Sequence, residues 1–207
     1  MKKIIALSIV VAPYFAFAQF SKGQIYVGGS IATSLQNSNY NYGNNSLNKS
    51  IYNSFSITPA IGFFLNPHIS IGGSMGYSSY LQELDYGNNT FNKSQSHSFS
   101  INSIARYYFP LANSVYVAIQ GQISFERGGT EYSNESGLTG KNPFYNVGLS
   151  FRPIFVFFPS PAWGIEAGVG SLGYNYQRYL PDVSSTNSFS INAGSFSFGL
   201  AYYFAKK

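Results

Sequence analysis

Phe196-Ser197-Phe198-Gly199-Leu200-Ala201-Tyr202-Tyr203-Phe204 sets a large apolar residue at every even position and, until Tyr203, a small one between. Successive side chains of a strand point to opposite faces, so this stretch has one bulky apolar face and one slender face. Such a division suits a strand with lipid on one side and a crowded barrel interior on the other. The same period of two returns along the chain. Ile69, Ile71, Met75, Tyr77 and Leu81 oppose Ser70, Gly72, Ser74, Gly76 and Ser78, and Val115, Val117, Ile119, Ile123 and Phe125 oppose Ser114, Ala118, Gln120, Gln122 and Ser124. A one-residue slip would exchange the two faces, so the pattern specifies register strongly.

Extended over the chain, the alternation predicts eight strands, at residues 24–35, 51–65, 68–82, 96–109, 114–127, 143–158, 163–177 and 189–204. Each exceeds the ~9 to 11 residues that a tilted strand needs to cross a bilayer. The links alternate in kind. Asn66-Pro67, Pro110-Leu111-Ala112-Asn113 and Pro159-Ser160-Pro161-Ala162 read as tight turns, whereas 36–50, 83–95, 128–142 and 178–188 read as long loops rich in Asn, Gly and Ser. The expected fold is all-β, an eight-stranded antiparallel up-and-down transmembrane β-barrel with short periplasmic turns, long outer loops and both termini periplasmic.

Details of the last strand follow from the same reading. Phe189, Ile191 and Ala193 are odd while Phe196 onwards is even, which predicts a β-bulge near Gly194-Ser195. The strand is expected to close the barrel on the first strand near residues 25–31. Phe63, Tyr107, Phe109, Phe157, Trp163, Tyr202 and Phe204 gather toward one set of strand ends, and Tyr77, Phe99, Phe125 and Phe189 toward the other. They predict two interfacial girdles.

The chain starts with Lys2 and Lys3, an apolar run over 4–17, and Ala16-Phe17-Ala18 before Gln19. This is the pattern of a secretory signal peptide, residues 1–18, which leaves 19–207 as one exported barrel. The run is shorter than the ~20 residues of a spanning helix. No cysteine is present, which excludes a lipoprotein anchor, a disulfide framework and a thiolate metal site. Charged residues make up only 9% and aromatics 18%, a composition far from that of a charged soluble surface. Lipid tolerates only helices or closed barrels, because an unpaired amide in hydrocarbon costs several kcal/mol. Of the 12 Lys and Arg, Lys2 and Lys3 belong to the signal, leaving 10 against 7 acidic residues. That mild excess is no nucleic-acid footprint, and no nucleic-acid partner is expected.

An internal repeat supports hairpins as the building unit. Tyr42-Gly43-Asn44-Asn45-Ser46-Leu47-Asn48-Lys49-Ser50 returns as Tyr86-Gly87-Asn88-Asn89-Thr90-Phe91-Asn92-Lys93-Ser94. Ser54-Phe55-Ser56-Ile57 returns as Ser98-Phe99-Ser100-Ile101 and as Ser188-Phe189-Ser190-Ile191.

Candidate chemistry is sparse. His68 and His97 have no carboxylate or second histidine at ligand spacing, so no metal or cofactor is expected. Ser98 adjoins His97, but neighbours on a strand face opposite sides, so a hydrolytic pair is not formed and no enzyme is expected. Asn-x-Ser/Thr matches at Asn44, Asn48, Asn88, Asn92 and Asn134 read as solvated loop positions. Arg106, Glu126, Arg152 and Glu166 carry more weight. All four fall on the slender inward face, where a charge needs a partner. Counting from the turn at Pro159 sets Arg152 diagonal to Glu166, which predicts a salt bridge filling the lumen. An eight-stranded barrel is just wide enough for side chains to fill it.

Pro59-Ala60-Ile61-Gly62-Phe63-Phe64-Leu65-Asn66-Pro67-His68-Ile69-Ser70-Ile71-Gly72-Gly73-Ser74-Met75-Gly76-Tyr77 resembles the hairpins of the small outer-membrane β-barrel-domain proteins, the porin family, of Gram-negative bacteria; residues 153–170 repeat the pattern. The resemblance implies partners in outer-membrane lipid, lipopolysaccharide and the barrel-assembly machinery. It makes Phe196, Phe198, Leu200, Tyr202 and Phe204 the assembly signal, from which Ala205-Lys206-Lys207 after the aromatic is a departure. No peptidoglycan-binding domain is expected after the barrel. The function implied is a structural or surface-interaction role, with an extracellular ligand met through 36–50, 83–95, 128–142 and 178–188. A narrow channel for small or apolar solutes and a lipid-modifying enzyme are the alternatives.

Overall fold

The computed structural model describes residues 20–39, 49–87, 90–134, 137–180 and 184–205. The expected signal peptide and its cleavage site lie outside these residues, as do most of the first copy of the loop repeat and the tip of the second. Eight strands are present: β1 (Ile25–Asn39), β2 (Lys49–Asn66), β3 (Ile69–Gly87), β4 (Thr90–Ala112), β5 (Val115–Asn134), β6 (Gly137–Phe157), β7 (Trp163–Tyr179) and β8 (Ser185–Tyr203). They pair antiparallel in chain order, and β8 returns to β1, closing the barrel. The fold class expected from the alternation is the one found.

Faces follow the alternation. Met75, Ile123, Phe125, Phe198 and Leu200 lie on the exterior, whereas Ser70, Ser74, Ala118, Gln120 and Ala201 are buried inside. The three Ser-Phe-Ser-Ile copies lie on β2, β4 and β8, with Phe55, Phe99 and Phe189 all exposed. Exterior aromatics at the tight-turn end pack on one another, with ring centroids 5.2 Å apart for Trp163 and Tyr202 and 4.6 Å apart for Tyr107 and Phe109. At the other end Tyr77 and Phe99 stand 5.1 Å apart.

Strand length is the main departure from expectation. The segments 83–95 and 128–142 are not loops: the ladder of β3 and β4 runs to Gly87 opposite Thr90, and that of β5 and β6 to Asn134 opposite Gly137. β4, with 23 residues, is about 75 Å long at ~3.3 Å per residue, and at a usual tilt it rises roughly 55 Å. The exterior of β4 is mainly apolar from Phe99 to Phe109, and beyond Phe99 it continues through His97, Gln95 and Lys93 in polar form. Those 11 positions match an apolar band of ~25 Å. Beyond it the sheet continues as paired, largely polar hairpins. Backbone pairing needs no apolar side chain, so a search for apolar alternation stops where lipid stops and the ladder does not.

The expected bulge on β8 is present, with a counterpart on β7. Val169 pairs with Phe196 and Ser171 with Asn192, so Gly170 alone faces Ala193, Gly194 and Ser195. Gly170 has φ +66°, where a side chain would be strained. Both strands change phase there: Val169 gives way to Leu172 on the exterior of β7 as Phe196 gives way to Ile191 on β8. Closure, by contrast, is shorter than expected. β8 pairs with β1 only from Tyr26 opposite Tyr203 to Gly29 opposite Leu200, with one further bond at the tight-turn end from the Phe204 N–H to the Ile25 carbonyl (2.9 Å), and not as far as Ile31. Gly29 lies close against β2, where a Cβ would stand 2.6 Å from the Thr58 carbonyl oxygen.

Because so short a ladder closes the ring, its end residues carry disproportionate weight. Deletion of residues 203–207 removes the Tyr26 pairing partner and the Phe204 amide together, and should abolish the species that migrates faster on an SDS gel before boiling. Deletion of 205–207 should leave that species at its normal level. Fast-migrating protein from the larger deletion would show that β8 does not close the barrel.

Candidate functional site in the barrel lumen

At the tight-turn end the interior is aromatic. Tyr26, Phe64, Tyr108, Phe158 and Tyr203 are buried, and Phe20, preceding β1, lies among them. The Phe20 ring stacks on Phe64 at 4.3 Å and packs on Tyr108 and Tyr116, each at 4.7 Å, and on Phe158 and Tyr203, each at 5.6 Å. A turn holds it there: Gly23, at φ +82°, donates its N–H to the Phe64 carbonyl (2.7 Å), and the Ser21 N–H donates to the Gln24 Oε1 (3.2 Å). Among the described residues, that ring plugs this end of the lumen.

Above the plug lies a polar layer centred on Arg106 of β4. Its Nη1 donates to Glu166 Oε1 of β7 at 2.8 Å and to the Tyr108 hydroxyl at 3.3 Å, and its Nε donates to Gln120 Oε1 at 2.8 Å. The guanidinium also sits 5.3 Å from the centre of the Tyr26 ring, in cation–π range. Glu166 Oε1 accepts a second bond from the Tyr203 hydroxyl (3.2 Å), and Gln120 Nε2 donates to Gln122 Oε1 (3.1 Å). The side chains of Arg106 and Glu166 are only 6% and 13% exposed. Burial of an ion pair is tolerable when the remaining donors and acceptors are also satisfied, as they are around Arg106.

The salt bridge expected between Arg152 and Glu166 is therefore replaced by one between Arg106 and Glu166. Glu166 pairs in register with Val156, four residues from Arg152, which is roughly 13 Å along the strand. Arg152 and Pro153 also fall in an irregularity of the β6–β7 ladder, between Phe151 and Ile154. Strand tilt instead brings Arg106 level with Glu166 from across the barrel. Arg152 makes no hydrogen bond or ion pair among the described residues, and its buried Nε has no partner. Its register neighbour Gln120 has its acceptor taken by Arg106 and its amide by Gln122. The fourth expected charge, Glu126, is apart from this cluster and accepts from Asn146 Nδ2 at 3.2 Å.

Glu126 belongs to a vestibule at the hairpin end, an open cavity of about 370 Å³ walled by hydroxyls and aromatics such as Ser78, Tyr80, Thr130, Tyr132 and Phe144. Ser78 and Ser98 are bonded to each other there at 2.8 Å. His97 is on the opposite face from Ser98. Its Nε2 accepts from Gln95 Nε2 (3.0 Å), which leaves Nδ1–H to donate to the Tyr77 hydroxyl oxygen (2.9 Å). His68, in a tight turn, donates from Nδ1 to the Tyr108 carbonyl (3.2 Å). Among the described residues neither ring is hydrogen-bonded to a serine or threonine hydroxyl. Phe196, Phe198, Leu200, Tyr202 and Phe204, the residues expected to form an assembly signal, all lie on the exterior.

A closed ring of eight strands with a bulky apolar exterior and a polar, side-chain-filled interior defines a transmembrane β-barrel. The chain belongs to the outer membrane protein beta-barrel domain family, whose model matches residues 4–204, and it is accordingly an outer-membrane protein. Similar solved structures include Neisserial surface protein A, at 19% identity over 87% of this chain and 97% of that one, TM-score 0.46. The attachment invasion locus protein Ail of Yersinia pestis is 14% identical over 88% and 99%, TM-score 0.43, and OprG of Pseudomonas aeruginosa 12% identical over 92% and 100%, TM-score 0.42. No curated protein sequence matches the chain.

The reassigned ion pair is testable by a double-mutant cycle on urea unfolding from lipid vesicles. Arg106→Ala and Glu166→Ala should each cost about 3 to 5 kcal/mol by stranding a buried charge, and the double variant less than their sum. Arg152→Ala, at a residue that shares a cavity with Glu166 but no ion pair, should couple to Glu166→Ala more weakly than Arg106→Ala does. Phe20→Ala, which empties the plug, should cost about 3 to 5 kcal/mol, the usual range for a buried phenylalanine.

Proposed function

We propose that the protein is a structural barrel that carries a rigid binding surface away from the outer membrane. The observation that supports this reading is the continuation of the ladders past the apolar band, to Asn39 opposite Lys49, Gly87 opposite Thr90 and Asn134 opposite Gly137. Hairpins of this length exceed what a barrel needs in order to span. Their cross-strand ion pairs, Glu83 with Lys93 at 2.9 Å and Glu131 with Lys141 at 2.5 Å, are exposed and contribute little stability, but each joins residues directly opposite in register. The surface is rich in Tyr, Ser and Asn, residues that give adaptable hydrogen bonding and broad aromatic contact at low entropic cost.

The reading favours an uncharged, hydrogen-bonding ligand, a glycan or protein surface, met outside the cell by hairpins and vestibule together. Both termini then lie in the periplasm. The channel alternative is weakened by Phe20 and the Arg106 layer, which fill the lumen in series. Replacement of residues 82–94 and 130–142 by two-residue Asn-Gly turns should leave the heat-modifiable barrel intact. It should remove binding of barrel-displaying cells to immobilised glycans and matrix proteins. Equal binding by the trimmed barrel would refute the proposal, and stepwise conductance of the intact protein in a planar bilayer would favour the channel. Protease added to whole cells should cut at Lys93 or Lys141; cutting only after the outer membrane is opened would reverse the orientation.

A further inference from the structure

Above Gly29 and Leu200 no ladder pair joins β1 to β8, although β1 runs on to Asn39 and β8 begins at Ser185. The barrel wall is therefore parted along this seam. The parted edges are at lipid depth, since they carry Ile31, 67% exposed, and Phe198, 71% exposed, on the exterior. Facing lipid at the base of the seam is an apolar cleft of about 560 Å³ that includes Ile31, Ile57, Pro59 and Leu200. Facing the lumen is a cavity of about 60 Å³ that includes Arg152, Arg106 and Glu166. The two share Gly28, Gly29, Ser30, Phe198 and Gly199, so they are the two sides of one opening.

The charges at the lumen side do not balance. Arg106 is matched by Glu166, and Arg152 is left with one positive charge and a buried donor without a partner among the described residues. One monoanion would complete the cluster, and the planar guanidinium suits a carboxylate. Only an amphiphile can meet both sides, with an apolar chain for the cleft and a single anionic end for the lumen. Parted strand edges in hydrocarbon also favour an occupant with a polar end that can reach backbone groups.

We propose that the β1–β8 seam binds a free long-chain fatty acid drawn laterally from the membrane, with its carboxylate on Arg152 and its chain between Ile31 and Phe198. The proposal is independent of the surface-binding role, which concerns the other end of the hairpins. The small lumen cavity holds the headgroup and the plug below bars further passage, so this is a binding site and not a pore.

The test uses the barrel refolded in phosphatidylcholine vesicles with a diazirine-bearing palmitic acid, photolysed and mapped by mass spectrometry. Adducts should concentrate on β1 and β8 around Ile31 and Phe198. Unlabelled palmitate should compete and its methyl ester should not. Arg152→Gln should lower labelling about tenfold, the loss expected for one charge-assisted bond. Ser30→Phe, which narrows the seam and keeps Arg152, should lower it as well. Adducts spread evenly around the barrel, labelling unchanged in Arg152→Gln, or equal competition by the methyl ester would each overturn the proposal. If Arg152→Gln does not give a heat-modifiable barrel, the ester comparison and Ser30→Phe decide.

Discussion

Backbone pairing without water is the constraint on which this molecule depends. An amide left unpaired in hydrocarbon costs several kcal/mol, so the sheet must find a partner for each edge and can do so only by closing on itself. Closure then dictates the rest. It turns one side chain in two toward a lumen just wide enough for side chains, and it limits how many bulky residues can face inward at any one height. Ser70, Ser74, Ala118 and Ala201 are small because large side chains there would meet those of the opposite wall. Gly62 shows the limit: the Tyr26 ring lies where its Cβ would be, 2.5 Å from the ring atoms.

Filling such a lumen takes two different solutions at two heights. Where the turns close the end, aromatics from five strands or their margins meet around Phe20, and each favourable ring pair adds ~0.5 to 1.5 kcal/mol to the area it buries. Higher up, the same walls hold an ion pair, which in a dry interior gains little unless the other donors and acceptors are used. Gln120, Tyr108 and Tyr203 use them. The plug and the polar layer share residues, since Tyr108 and Tyr203 contribute a ring to one and a hydroxyl to the other. The lumen is therefore one coupled unit, and a change in Phe20 packing bears on the tyrosines that hold the charges in place.

The exterior was legible in the sequence because lipid imposes a period of two that depends on residue type alone. Strand number, facing, the turns at Asn66 and Pro110 and the bulge near Gly194 all follow from it. The lumen was not, because which inward side chains meet depends on tilt and register shifts that alternation does not encode. Arg152 was paired with Glu166 by counting along a regular ladder, and the irregularity between Phe151 and Ile154, with the tilt that raises Arg106, broke that count. A signal for the aromatic plug was present: Phe63-Phe64-Leu65, Tyr107-Tyr108-Phe109 and Tyr202-Tyr203-Phe204 interrupt large-small alternation with consecutive large residues at the tight-turn ends. The middle member of each faces inward and is buried. The hairpins were missed for the opposite reason, since polar strands in water carry no apolar period although their ladders continue.

The seam is where the governing constraint is least satisfied. β1 follows β2 from Ile25 to Asn39 and β8 follows β7 nearly to Ser185, so each strand obeys its other neighbour and the two part above Gly29. The close approach of Gly29 to Thr58 and the three-to-one bulge at Gly170 act on the two strands separately, β1 toward β2 and β8 along β7. An opening of this kind is costly in hydrocarbon unless polar partners fill it, and the same region holds Arg152, whose buried Nε has no partner among the described residues. Strand edges without a ladder partner at the wall and a guanidinium Nε without a partner behind it border a single cavity. One molecule with an anionic end and an apolar tail answers both, which is why the two deficits are better explained together than as separate imperfections of closure.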